Sequence, residues 1–201
     1  MGSAKDWYSI TSSSDGTKLA AVVRNGNIWT STNSGGTWTE DTSVGSIKKW
    51  YSITSSSDGT KLAAVVYNGN IWTSTNSGGT WTENTASPGS AKNWWSITSS
   101  SDGTKLAAVV YNGNIWTSTN SGGTWTENTA SPGSAKNWWS ITSSSDGTKL
   151  AAVVYNGNIW TSTNSGGTWT KDTSVGSIKK WYSITSSSDG TKLAAVVYNG
   201  N

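Results

Sequence analysis

Apolar and polar positions alternate along this chain in short runs, and each run ends at a turn signal. Trp7 to Ser12 reads as a strand that closes on Asp15–Gly16, and Lys18 to Arg24 carries the unbroken apolar run Leu-Ala-Ala-Val-Val. A run of that kind fits a strand covered on both faces. Asn25–Gly26 makes the next turn, and Ile28 to Thr32 then alternates, with Ile and Thr on one face and Trp and Ser on the other. A turn at Asn33 to Gly36 leads into a fourth strand, Thr37 to Glu40. Asp-Gly and Asn-Gly between strand-like runs are strong hairpin signals, because these residues tolerate positive φ. The pattern predicts a four-stranded antiparallel unit.

That unit recurs. Trp7, Trp50, Trp94, Trp138 and Trp181 open equivalent segments spaced 43, 44, 44 and 43 residues apart, and residues 51–93 and 95–137 differ only at Tyr51 against Trp95. A period of this length is typical of a four-stranded propeller blade. The expected fold is all-β, a β-propeller occupying residues 1–201 as one domain, with repeats 7–49, 50–93, 94–137 and 138–180 and a half-blade 181–201. The small alanines of the second strand are expected near the crowded propeller axis.

Composition narrows the chemistry. The 201 residues include 15 Trp and 7 Tyr but no Phe, His or Cys. Without Cys there is no disulfide or thiolate nucleophile, and without His the commonest general base and zinc ligand are missing. No cofactor and no metal site are expected. The longest apolar run, about five residues, falls far short of a membrane span or signal-peptide core. No targeting segment is visible, and the compartment stays unknown, with soluble recombinant expression in the cytoplasm the expectation. The net charge of +3 is mild and gives no reason to expect specific nucleic-acid binding.

The third turn carries a resemblance. Ser31-Thr32-Asn33-Ser34-Gly35-Gly36-Thr37-Trp38 resembles the Asp-box, S-x-D-x-G-x-T-W, of sialidase-like BNR propellers, with copies at 74–81, 118–125 and 162–169. The resemblance implies a turn between third and fourth strands. Asn33, Asn76, Asn120 and Asn164 stand where that family has Asp, and an Asn carbonyl oxygen still accepts from turn amides. Near-identity of the copies also resembles symmetric designer β-propellers of the Cake and Scone type. It leads to the expectation of an engineered, quasi-symmetric scaffold without catalytic activity, against the alternative of a natural BNR-type carbohydrate-binding module.

Five copies of strands one and two accompany four copies of strands three and four. The 181–198 pair is expected to present an open edge, which invites pairing with another chain. Head-to-tail association of two chains is therefore expected to close an eight- or nine-bladed ring, by blade or strand complementation, with ten blades a further option. The other possibility is that these residues are half of a longer repeat polypeptide.

Candidate chemistry is sparse. A sialidase site would need an arginine triad, and the chain has one arginine, Arg24. Asp15, Asp58, Asp102, Asp146 and Asp189 fall in repeated turns, and Glu40, Glu83 and Glu127 fall at exposed strand ends, so a catalytic carboxylate pair is not expected. Trp95 and Trp139, second residues of the Trp94–Trp95 and Trp138–Trp139 pairs, are candidate sugar platforms together with Tyr111 and Tyr155. The competing reading has these rings packing blade against blade. Lys48, Lys49, Lys179 and Lys180 form two basic pairs in the inter-blade links, candidates for binding a polyanion. Solubility and edge protection explain such lysines equally well.

Overall fold

The computed structural model describes residues 4–86, 88–130, 132–176 and 178–199. All its regular structure is β. The first unit comprises β1 (Trp7–Ser12), β2 (Leu19–Gly26), β3 (Ile28–Ser31) and β4 (Thr39–Asp41). The second comprises β5 (Lys48–Ser55), β6 (Leu62–Gly69), β7 (Ile71–Ser74) and β8 (Thr82–Asn84). The third comprises β9 (Lys92–Ser99), β10 (Leu106–Gly113), β11 (Ile115–Ser118) and β12 (Thr126–Asn128). The fourth comprises β13 (Lys136–Ser143), β14 (Leu150–Gly157), β15 (Ile159–Ser162) and β16 (Thr170–Asp172), and β17 (Lys179–Ser186) and β18 (Leu193–Val197) follow. Strands pair antiparallel in chain order within each unit, as in a propeller blade. The fourth strand begins two residues later than expected, because the Asn33 turn extends to Thr37.

The first strands β1, β5, β9, β13 and β17 lie side by side along the axial cavity. The end of each second strand also pairs with the start of the next unit's first strand, as in Tyr67↔Asn93 and Gly69↔Lys92. The alanines therefore sit between blades and not at the axis. Alternation along β2 sends Ala20 and Val22 to the following blade, where they meet Trp50, Ile53, Ala64 and Val66 in one apolar layer. The same layer recurs with Trp94 and Ile97, with Trp138 and Ile141, and with Trp181 and Ile184. Trp50, Trp94 and Trp138 are 0% exposed. Burying a ring of that size contributes several kcal/mol, roughly 25 cal/mol for each Å² removed from water.

One irregularity governs where side chains point. In every unit the register between first and second strands slips after the leading Trp: Trp94 faces Val110, but Ser96 faces Val109, leaving Trp95 as an extra residue. This β-bulge recurs at Tyr8, Tyr51, Trp139 and Tyr182. By simple alternation Trp94 and Ile97 would face opposite sides. The bulge returns both to the blade face and frees the residue between them to aim elsewhere.

The turns are built from side chains as much as backbone. Only Gly16 (φ +70) is left-handed in the Asp15–Gly16 turn, and only Asn25 (φ +55) in Asn25–Gly26, so neither pair has two positive φ values as the hairpin signal implied. Gly26 is required for space, since a Cβ there would lie 2.7 Å from Val23 Cγ1. In the third turn the Asn33 carbonyl oxygen accepts from Thr37 N–H at 2.8 Å, and Ser31 Oγ accepts from Gly35 N–H at 3.0 Å. The same bonds recur at Asn76, Asn120 and Asn164.

The units form an open arc, and the expected closed ring is not seen. Among the described residues β1 and β17 are not paired, and Ile10 at one end is 62% exposed while Val196 at the other is 58% exposed. Of the 199–201 turn, residues 200 and 201 lie outside the described residues. No helix among the described residues is long and apolar enough to cross a membrane.

Candidate functional site

The bulged residue of each unit turns toward the axis. There Tyr8, Tyr51, Trp95, Trp139 and Tyr182 form a continuous aromatic arc, with centroid separations of 4.6, 4.8, 4.4 and 6.1 Å between successive rings. Each of the central rings is backed from the second strand: Tyr67 lies 5.0 Å from Tyr51, Tyr111 lies 5.1 Å from Trp95, and Tyr155 lies 4.8 Å from Trp139. In the first unit Arg24 takes that backing place, its guanidinium 5.8 Å from the Tyr8 ring and 5.6 Å from Tyr51. A guanidinium over a phenol face at this range is an attractive cation–π contact.

Serines interleave with the rings. Ser9, Ser52, Ser96, Ser140 and Ser183 line the same axial cavity of about 470 Å³, together with Asp6, Trp7 and the five bulge aromatics. Four of these hydroxyl oxygens accept a backbone N–H from the next first strand: Ser9 from Ile53, Ser52 from Ile97, Ser96 from Ile141 and Ser140 from Ile184. The bond fixes the oxygen and leaves the hydroxyl hydrogen to donate into the cavity. Burial pushes the Tyr8 phenol above its usual value near 10; Tyr51 pushes in the same direction and Arg24 opposes it. Tyr8 is thus a neutral donor across the physiological range.

Trp95 and Trp139 therefore come together, 4.4 Å apart at the axis, where they also pack against the apolar layers between blades that hold the fully buried Trp94 and Trp138. Tyr111 and Tyr155 support these rings from behind and are absent from the cavity lining. Sequence reasoning missed Tyr8, Tyr51, Tyr182 and the five serines. The available signal was an aromatic at the second position of all five copies, always followed by Ser.

The basic pairs are not brought together. Lys48 and Lys49 lie on β5 and Lys179 and Lys180 on β17, with β9 and β13 between them carrying Asn93 and Asn137 at the second position. Lys48 Nζ sits 4.8 Å above the Trp72 ring, a contact repeated by Lys5 on Trp29, Lys92 on Trp116 and Lys136 on Trp160. Lys49 and Lys180 are exposed.

The carboxylates are occupied in turns. Asp15 accepts from Ser13 Oγ at 2.5 Å and from Thr17 N–H at 3.0 Å, and these bonds hold its pKa down at about 2. Asp102 and Asp189 are likewise held at about 2, and Asp58 and Asp146 are lowered further by the same Ser and Thr bonds. Glu40, Glu83 and Glu127 accept from Asn27, Asn70 and Asn114 at 3.0 Å. Among the described residues no cluster of three or more acidic side chains stands ready for a metal.

No family model and no curated protein sequence matches the chain. Solved structures do. The chain superposes on YCF48 bound to D1 peptide with a TM-score of 0.73 at 16% identity, covering 98% of this chain and 62% of that one. YCF48 from Cyanidioschyzon merolae gives a TM-score of 0.70 at 16% identity, covering 100% and 66%. The GH74 enzyme of Niastella koreensis gives 0.62 at 22% identity, covering 82% and 24%. The fold is β-propeller-like. The chain spans about three-fifths of the first of these proteins and a quarter of the GH74 enzyme. The expectation of an engineered scaffold is overturned here, because the structures that share this fold are those of natural proteins. Near-identity of repeats, on which that expectation rested, measures how little the copies have diverged and does not report who made them.

Proposed function

We propose that this chain is a natural, non-catalytic BNR-type propeller module that binds carbohydrate at its axis, and that its arc belongs to a closed ring of eight or nine blades. The observation that carries the binding role is the axial arc of five aromatic rings interleaved with five serines around a cavity of about 470 Å³. That volume is in the range of small-ligand sites, which combine apolar walls with a few fixed polar groups. A sugar offers both matching surfaces. Its C–H faces lie on aromatic rings, and its hydroxyls exchange hydrogen bonds with serine and tyrosine hydroxyls. The four Asn-containing turns, with their repeated Ser and Thr bonds, support the BNR assignment.

A binding role fits the acids better than hydrolysis does. Glycoside cleavage uses two carboxylates on either side of the scissile bond, one kept protonated by its surroundings. Asp6 is the one carboxylate lining the axial cavity among the described residues, and the turn aspartates are held ionised away from it.

The test is a glycan array followed by calorimetric titration of the best ligand. Saturable binding that is lost in Trp95→Ala/Trp139→Ala, with the fold retained by circular dichroism, is the expected result. Silence across the array, or binding unchanged by that double substitution, would overturn the reading.

A further inference from the structure

The two ends of the arc present the two halves of a contact that the molecule already makes four times. At the first end, Trp7 is 40% exposed and Ile10 62%, whereas their counterparts Trp50 and Ile53 are 0% and 4% exposed. Trp7, Tyr8, Ser9, Ile10, Ala21 and Trp38 line an apolar cleft of about 320 Å³ on this face. At the second end Ala194 is exposed and Val196 is 58% exposed, whereas Val22, Val65, Val109 and Val153 are all 0% exposed. Inside the arc, an Ala–Val pair such as Ala20 and Val22 seats against a Trp–Ile pair such as Trp50 and Ile53.

The polar seam is complementary in the same sense. Across each internal junction Ser14 N–H donates to Ser57 O at 2.7 Å, Lys18 Nζ to Asp58 O at 3.0 Å, and Ile53 N–H to Ser9 Oγ at 3.3 Å. The corresponding groups at the second end are Ser188 N–H, Lys192 Nζ and Ser183 Oγ. At the first end they are Ser14 O, Asp15 O and Ile10 N–H. Donor faces acceptor at each of the three positions, and Ala and Val face Trp and Ile between them.

We propose that the β17–β18 end of one chain docks on the β1–β2 end of a second copy, so that the chain associates head to tail through a fifth edition of its own blade contact. Ala194 and Val196 of the first chain fill the cleft beside Trp7 and Ile10 of the second copy. Such a contact is heterologous, and it closes when the rotation per chain allows and otherwise extends. The β17–β18 end offers two strands where internal junctions offer four, so association depends on concentration. Two chains joined in this way carry eight four-stranded units and two two-stranded ends; the inference rests on blade packing and is independent of the sugar site.

Light scattering coupled to size exclusion, run over a concentration series on the whole chain, tests it. A mass rising to twice the chain mass of 21.1 kDa, or to a higher whole multiple, is expected. Ile10→Asp and Val196→Asp, each at an exposed position, should weaken association by at least about tenfold without altering the circular dichroism spectrum. Ile47→Asp, equally exposed at 66% but in a link, should not. Because the chain has no cysteine, a mixture of Ile10→Cys and Val196→Cys chains should form a mixed disulfide dimer under mild oxidation. One chain mass up to the solubility limit, or a multimer untouched by both Asp substitutions, overturns the proposal. The sugar reading is separable: Trp95→Ala/Trp139→Ala should leave the mass unchanged, and Ile10→Asp should still bind glycan.

Discussion

Trp94 and Trp95 are neighbours with the same side chain and different surroundings. Trp94 is 0% exposed in the layer between blades, and Trp95 turns to the axis, in tilted contact with Tyr111 and Trp139 on the cavity wall. Neither hydrophobicity nor propensity separates them. The β-bulge does, by inserting one unpaired residue between two that must share a face. A fully buried aromatic and a cavity-lining aromatic can therefore be adjacent in sequence, and the backbone register decides which is which.

Breaking the structural side of this pair should have the largest effect. Trp94→Ala is expected to lower stability by roughly 3–5 kcal/mol, since the cavity lies inside a packed layer. Denaturant titration would read this as a drop in midpoint. Trp95→Ala should cost less, on the order of 1–2 kcal/mol, because one side of the ring already faces the cavity. If the two losses were equal, the division of labour would be wrong. Asn120→Ala, in the third turn, removes the acceptor for Thr124 N–H and should cost about 1 kcal/mol, while Asn120→Asp should keep stability near the original.

The acid limb sharpens the contrast between turns and site. Asp15, Asp102 and Asp189 have folded-state pKa values near 2, below their ordinary 3.8, so their turn bonds stabilise fully above about pH 4. That contribution is lost as pH falls from about 4 toward 2. Thermal melts across this window should show a steady decline, and Asp102→Asn should make the decline shallower. Smallest of all is the effect expected for the basic pairs. Lys49→Gln with Lys180→Gln should reduce any salt-sensitive binding of a polyanion such as heparin, and it should leave stability within about 0.5 kcal/mol, because both side chains are exposed.

The blade was legible in the sequence to the extent that local rules govern it. The 43–44-residue period and the Leu-Ala-Ala-Val-Val strand covered on both faces appear as their residues imply, and the Asn33 turn forms where expected but runs on, delaying the fourth strand by two residues. Strict alternation failed at Tyr8 and its four equivalents, and the register slips again at Asn25, Asn68, Asn112 and Asn156, because a bulge is a register event between strands and leaves no mark in a single strand's pattern. The slip at Tyr8 and its equivalents aims the rings that line the axial cavity, so its tyrosines and serines were not legible either. The placement of the alanines went wrong for a related reason: small residues suit any close approach, and the sequence does not say whether axis or neighbouring blade supplies it. The inferred designed origin failed because repeat identity carries no physical signature of origin.

The most direct test of the axial site is calorimetric titration of an array-selected oligosaccharide into the chain and into Trp95→Ala/Trp139→Ala. Saturable binding by the first and none by the folded second is the predicted result. Equal binding by both, or by neither, would show that the aromatic axis is packing alone.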